Sequence, residues 1–543
     1  MTVAEIERDL GTLAGTGNLL RFQLRRSRVF LLGWLLGIAG GTWALAASFR
    51  DLYPDAADRA AFGVTVDTPA MRSMTGPETY IAAYADSVGA MFSHQMILWT
   101  GALTAVMFLM LVTRLTRADE ENSRSEVLRS NPIGRRADLA AALLLSGIAA
   151  VALGGLMALA AAGLPGSQGA SALLFGLAHT AVAVVFAALA AVASQVAGFA
   201  STANAIGFTA LGWSALTAGM GNAQENGVTW LSPIGWSQLT YVYTPEQRWW
   251  PLSIAAGFAL VLVWVAFALV TRRDFGQGLI ASRPGRPAAK PGLRSATALT
   301  FRLVKGITVA GVITLLVLGS AWGSLLGGAD EMLDGLSEAE REVIDQGGAS
   351  IEANVAATFV SVNGLIAALF GLLVIGRARK EETQGRGELI AAGVVGRGGW
   401  PGSYLPAAMW AVTAATVAAG VLLGLVGSAS LEDWGWFGKL LAASALKLPA
   451  VWALTAFAFA TYAWLPRLGW LRWLAWVYVF VVMYFGDMLD LPGWFRAASP
   501  LEHLAAYPAK DVDWVAAVVV TLVAAALAAL GYVGVRRRDL HFS

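Results

Sequence analysis

Twelve apolar runs alternate with polar segments along the 543-residue chain. Six fall at residues 29–49, 96–113, 139–163, 172–195, 203–220 and 251–270, and six more at 306–323, 356–375, 403–427, 447–464, 473–487 and 514–535. A helix rising ~1.5 Å per residue needs about 20 residues to cross a ~30 Å hydrocarbon layer, and most of the runs approach that length. No water reaches the backbone at that depth, so each run must satisfy its own hydrogen bonds as a helix. The pattern predicts an all-α polytopic membrane protein of twelve transmembrane helices, arranged as two parallel six-helix repeats.

The polar segments divide the chain. Residues 1–28 end in Arg21, Arg25, Arg26 and Arg28 beside Leu19, Leu20, Phe22 and Leu24, an amphipathic basic helix for a membrane surface. The Ala44-Leu45-Ala46 triplet mimics a cleavage site, but the apolar run is too long for a removable signal, so a retained first span is expected. Gly33, Gly37 and Gly41 within it have the small-xxx-small spacing of close helix contact. Residues 50–95 read as an outer loop with some short helix. Residues 221–250 hold Trp230, Trp236, Trp249 and Trp250 around Ser232-Pro233, and read as short helices at the interface. Residues 274–299 form a basic Pro/Gly linker between a first half, 1–273, and a second, 300–543.

One polar segment recurs. Residues 117–135 and 379–397 align without gaps, matching Arg117, Glu120, Arg124, Glu126, Gly134 and Arg135 with Arg379, Glu382, Arg386, Glu388, Gly396 and Arg397. Apolar spans resemble one another by composition, so a match carried by charges and a glycine is the more informative kind. Two smaller echoes support the duplication: Leu231-Ser232-Pro233-Ile234 with Ala498-Ser499-Pro500-Leu501, and Arg272-Arg273-Asp274-Phe275 with Arg537-Arg538-Asp539-Leu540. Glu120 stands four residues before Arg124, as Glu382 does before Arg386, an order that supports a helix by roughly 0.2–0.5 kcal/mol per pair. Each half therefore presents a short amphipathic helix, and the kept spacing favours a docking element over a solvated loop.

Composition agrees with a bilayer: 57% of residues are apolar and 14% charged, against ~25% charged in soluble domains. With both termini cytoplasmic, the inner segments hold 29 of the 38 basic residues and 13 of the 36 acids, the asymmetry of the positive-inside rule. Both copies of the charged segment then face the cytoplasm. Cysteine is absent and the four histidines are scattered, which excludes disulfides and thiolate metal sites. No catalytic residue, metal ligand or nucleic-acid surface is expected. The chain contains no GxxxxGK(S/T) phosphate loop, so it does not cradle ATP in the usual way.

Six spans per half, a basic lead helix, a Glu/Arg-rich helix between spans two and three and a Ser-Pro break before span six resemble ABC exporter permeases of the type-2 class. The fused form, with WLSPIGW at residues 230–236 and a basic linker after Arg272-Arg273-Asp274, is similar to actinobacterial permeases described as tetronasin or polyketide-antibiotic exporters. The resemblance covers nearly the whole chain. It implies the transmembrane subunit of an ATP-driven exporter of hydrophobic or amphiphilic compounds in a bacterial cytoplasmic membrane. ATP and Mg would bind not this chain but two copies of a cytosolic P-loop ATPase subunit. In that family the charged helix is the coupling helix that seats on the ATPase. By position it maps to Asp119, Glu120, Arg124, Glu126 and Arg135, and to Glu381, Glu382, Arg386, Glu388 and Arg397. The copies differ at Ser125/Gly387, Pro132/Val394 and Glu121/Thr383, so unequal coupling is expected. The resemblance also implies a path lined by spans two, five, eight and eleven. Trp99, Phe108, Phe208, Trp213, Phe359, Asn363, Phe370, Phe480 and Tyr484 there would suit an amphiphilic substrate.

Polar residues at or near the spans, His179, Asn204, Asn363, Lys447 and Asp487, draw attention because ionisable groups in hydrocarbon are costly. An ion-coupled secondary transporter would need such a relay, and His179 and Asp487 are what the sequence offers it. A membrane-embedded transferase would have to use His94, Asp487 and Asp490, which lack a recognisable catalytic spacing.

Overall fold

The computed structural model describes residues 12–122, 133–164, 169–274, 276–280, 287–288, 292–293, 295–327, 350–391, 399–485 and 491–539, and among them every regular element is a helix. The chain separates into two compact units, residues 1–285 and 286–543. Ten helices among the described residues are long and apolar enough to cross a membrane.

The first unit opens with α1 (Thr16–Leu52), α2 (Ala56–Val66), α3 (Pro69–Thr75), a 3-10 turn (Glu78–Ala83), α4 (Val88–Leu115) and α5 (Arg117–Glu121). It continues with α6 (Ala137–Ala162), α7 (Gly169–Val196), α8 (Ala200–Ala223), a 3-10 turn (Gly227–Leu231), α9 (Gly235–Gln238) and α10 (Pro251–Val270). The basic lead helix and the first span, read separately from sequence, are one 37-residue helix, because no Gly or Pro interrupts residues 18–32 across their junction. α7 is the centre of the unit, packed against α4, α6, α8 and α10. Its Ala and Gly content lets neighbours approach to backbone contact, so that Gly176 and Gly154 leave no room for a Cβ between α7 and α6.

The second unit comprises α11 (Ala296–Leu326), α12 (Ile351–Thr383), α13 (Glu388–Ala391), α14 (Gly399–Gly402), α15 (Tyr404–Ser430), α16 (Gly435–Leu446) and α17 (Leu448–Trp464). A 3-10 turn (Pro466–Leu468), α18 (Leu471–Phe485), α19 (Gly493–Arg496) and α20 (Trp514–Arg537) complete it. α11 lies along α15, where a Cβ on Gly319 would stand 2.5 Å from the Ala419 carbonyl. Ser430 Oγ donates across the same seam to Gly323 O at 2.7 Å. Span helices in both units start on side-chain caps. Ser87, Ser295, Ser350 and Asp513 accept from the backbone N–H three residues on, at 3.1, 3.1, 3.3 and 3.0 Å, at the heads of α4, α11, α12 and α20.

One sequence expectation is met in part and two change. The runs read as spans five and eleven are helical but fall short of a membrane-crossing signal. α8 carries Ser201, Thr202, Asn204, Thr209, Ser214, Thr217 and Asn222, and α18 has only 15 residues, about 22 Å at 1.5 Å per residue. Among the described residues Gly33, Gly37 and Gly41 make no close contact; a Cβ at each would meet nothing within 4 Å. The intimate glycine seams are those of α6 with α7 and α11 with α15. Finally, the tenth helical stretch starts at Gly435 and is interrupted at Lys447, rather than beginning there.

Candidate functional site

Each unit holds one carboxylate at the end of its second long helix, gripped from both sides. In the first, α4 ends at Thr116, whose hydroxyl donates back to Val112 O at 2.7 Å, and α5 carries Glu120 inward. Glu120 Oε2 accepts from Arg117 Nη1 at 2.9 Å and from Arg273 Nη1 at 2.8 Å, and Arg273 Nη2 bonds the other oxygen. Two guanidiniums meet this one carboxylate in a site that water scarcely reaches. The remaining donors therefore go to backbone oxygens: Arg117 to Gly198 O at 2.9 Å, Gln277 O at 3.1 Å and Gly276 O at 2.8 Å. Arg273 Nε donates to Gln195 Oε1 at 2.6 Å, which ties the end of α10 to the end of α7.

The neighbours of Glu120 extend this hub. Asp119 pairs with Arg26 of α1 at 2.6 Å. Glu121 Oε2 accepts from Ala200 N at 3.0 Å, an anion at the positive end of α8. Arg135 Nη2 donates to Arg273 O at 2.9 Å. The first charged segment thus reaches α1, α7, α8 and the end of α10.

The second unit repeats the device with different parts. Glu382 Oε2 accepts from Arg538 Nη2 at 2.6 Å and from the Tyr462 hydroxyl at 3.0 Å, while Arg379 Nη1 stands 3.6 Å from Oε1. The Arg538 guanidinium also lies 4.5 Å over the Tyr462 ring. Glu381, also buried, pairs with Arg377 at 2.7 Å and Arg386 at 3.4 Å. Arg386 therefore meets Glu381 and not Glu382, because α12 ends at Thr383 and the turn at Gly385 (φ +69°) redirects the chain. The helix-supporting Glu382–Arg386 pair is not made.

Sequence reasoning found Glu120, Glu382 and the two terminal Arg-Arg-Asp echoes, yet not that they meet. Two separate alignments, Arg117/Arg379 with Glu120/Glu382 and Arg273/Arg538, converge on one carboxylate per unit. Gln195 and Tyr462 complete the clamps and were invisible because they are unlike residues. Glu388, at the head of α13, is exposed. Arg124, Glu126 and Arg397 lie outside the described residues, as do Asp487 and Asp490.

The aromatic candidates divide. Trp99, Phe208, Trp213 and Tyr484 are exposed on their units. Phe108 is fully buried in the core of the first unit, where it packs rather than lines a surface. Phe359 stacks on Trp322 with centroids 4.5 Å apart, Phe370 closes over Gly311, and Phe480 stacks on Trp476 and borders Tyr484. Asn363 is buried with neither amide atom hydrogen-bonded. His179 bridges two helices, Nε2 to Thr100 Oγ1 at 2.8 Å and Nδ1 to Phe175 O at 2.8 Å, and is satisfied as a structural residue. Lys447, at the break between α16 and α17, donates to Leu504 O and Ala505 O, both at 3.2 Å. His94 sits between Thr75 Oγ1 at 3.1 Å and Tyr84 OH at 2.5 Å. Burial raises the Tyr80 and Tyr84 phenols above their ordinary range, so both remain neutral hydrogen-bonding groups. Among the described residues no three His, Asp or Glu side chains gather as a metal site.

Long apolar helices whose buried charges are absorbed in interhelical clamps define a multi-pass membrane protein. Residues 293–536 match the family model described as multidrug efflux system permease Rv1217c, C-terminal domain. Over 536 residues, 97% of this chain and 95% of the relative, the sequence is 35% identical to multidrug efflux system permease protein Rv1217c of Mycobacterium tuberculosis (strain ATCC 25618 / H37Rv). The chain belongs to this family of multidrug efflux permeases.

Proposed function

We propose that the chain is the transmembrane subunit of an ATP-driven exporter of hydrophobic or amphiphilic compounds, with ATP hydrolysed by two copies of a separate cytosolic P-loop subunit. In this reading the twelve predicted spans form two parallel six-helix repeats in a bacterial cytoplasmic membrane, both termini inside, and no cofactor binds the chain itself. The observation that carries it is the duplicated clamp. Each charged segment is anchored by the same Arg–Glu–Arg arrangement to the far end of its own unit, at Arg273 and at Arg538. A segment that only satisfied charge asymmetry would need no such anchor. A segment that takes a push from a motor needs one, because the push must reach several helices at once. Membership of the efflux permease family supports export, and the tetronasin-type or polyketide-antibiotic subtype stays a proposal about substrate. The satisfied, bridging environment of His179 gives an ion-coupled relay no support.

The test is co-purification from the native membrane followed by transport in vesicles. Recovery of an ATPase subunit with a phosphate loop, and transport that stops when ATP is withheld, are the expected results. Recovery of no such subunit, with transport running on a proton gradient alone, would overturn the reading.

A further inference from the structure

On the face of the first unit opposite α5, the loops between α3 and α4 and between α8 and α10 enclose a cavity of about 670 Å³. That volume falls in the range of small-molecule sites. Among the described residues its lining includes four carboxylates, Glu78, Asp86, Glu225 and Glu246, and two large aromatic side chains, Trp230 and Tyr241, but no Lys, Arg or His. The walls are rigid. Asn222, buried at the base, donates to Gln238 Oε1 at 3.1 Å and accepts from Thr229 Oγ1 at 3.2 Å. Trp230 stacks on Trp250 at 4.8 Å, and its carbonyl accepts from Trp236 Nε1 at 2.7 Å.

The charge around the cavity is under-compensated. Arg72, behind the wall, serves three acids at once: Glu225 at 2.5 Å, Asp67 at 3.1 Å and Glu78 at 3.4 Å. One guanidinium cannot neutralise three carboxylates, and the Glu225 carboxylate raises the Glu78 pKa above its ordinary range. At the rim Arg248 lies 4.6 Å over the Tyr241 ring and 3.3 Å from Glu246, so this wall already holds one planar cation.

We propose that this cavity binds an organic cation, its charge facing the carboxylates and its rings against Trp230 and Tyr241. The inference stands on the cavity alone and does not depend on the exporter reading.

The experiment uses the full chain, purified and placed in nanodiscs of phosphatidylcholine, and equilibrium dialysis with tetraphenylphosphonium and tetraphenylborate, ions of one shape and opposite charge. Expected is saturable binding of the cation, about one per chain, while the anion only partitions into lipid. The Asp86→Asn/Glu246→Gln double variant, changed at exposed positions, should keep its melting temperature and bind the cation roughly tenfold more weakly, the scale of two nearby charges screened by solvent. Equal saturable binding of both ions, no saturable binding of the cation, or unchanged affinity in the double variant would each overturn the proposal. Since the assay contains no ATPase and measures no transport, such a failure leaves the permease reading intact.

Discussion

Glu120 and Arg273 lie 153 residues apart in the chain and meet in a two-pronged ion pair with side chains less than a tenth exposed. Through it the charged segment after α4 is joined to the end of α10. Because Arg117 binds the same carboxylate, Glu120 lies between two buried guanidiniums.

Removing that acid leaves two cations without their counter-charge. Glu120→Ala should cost about 3–5 kcal/mol, the penalty of breaking a buried pair from one side. Glu120→Met combined with Arg273→Met should cost less than the two single changes together. Thermal inactivation midpoints of the four proteins, wild type included, measure the coupling, and strict additivity would contradict the clamp.

The second clamp is the weaker one. Glu382 Oε1 has no hydrogen bond and only a 3.6 Å ion contact with Arg379, whereas both Glu120 oxygens are bonded. Glu382→Gln should therefore destabilise less than Glu120→Gln, by about 1 kcal/mol, the worth of one hydrogen bond. The same comparison reports on the proposed inequality of the two coupling segments, read as ATP hydrolysed per substrate moved.

If the charged segments dock a motor, reversing an acid in each should uncouple it without unfolding the permease. Glu126→Arg with Glu388→Arg is expected to keep a monodisperse profile, since Glu388 is exposed, and to lose ATP-dependent transport. Full coupled transport in this double variant would remove the docking assignment.

Glycine substitutions should sort by seam. Gly176→Val or Gly319→Val forces α7 from α6, or α11 from α15, and should abolish accumulation of folded protein. Gly33→Val and Gly37→Val meet nothing within 4 Å among the described residues and should be tolerated. Yield and the size-exclusion peak distinguish the two groups, and sensitivity at Gly33 would point to a contact beyond the described residues.

Lys447 holds the loop that follows α19 by donating to Leu504 O and Ala505 O. Lys447→Ala leaves two carbonyls short of a donor, a loss of about 1–3 kcal/mol concentrated in that loop. Tryptic cleavage at Arg496 or Lys510 should then quicken by roughly tenfold or more, and an unchanged rate would deny the anchoring role.

The candidate site was half legible. Glu120 and Glu382 stood out because a charged pattern repeated at fixed spacing is rare in an apolar chain. Their partners from the end of the sixth run were visible only as a second, unconnected echo. Gln195 and Tyr462 were not legible at all, since one unit uses an amide against the arginine and the other a phenol against the carboxylate. The same limit applies to the glycines. Spacing alone marks Gly33, Gly37 and Gly41 as readily as Gly319 and Gly323, but only a neighbouring backbone decides which stripe is a seam.

By itself the sequence determined that the chain is helical and lies in a bilayer, because apolar length and backbone hydrogen bonding leave no alternative there. It also determined that a charged segment is duplicated. Only the tertiary structure decided that Glu120 and Glu382 point inward, into clamps that tie distant helix ends together. A carboxylate's direction depends on which guanidiniums the fold brings beside it, and in each clamp one of them arrives from more than 150 residues away.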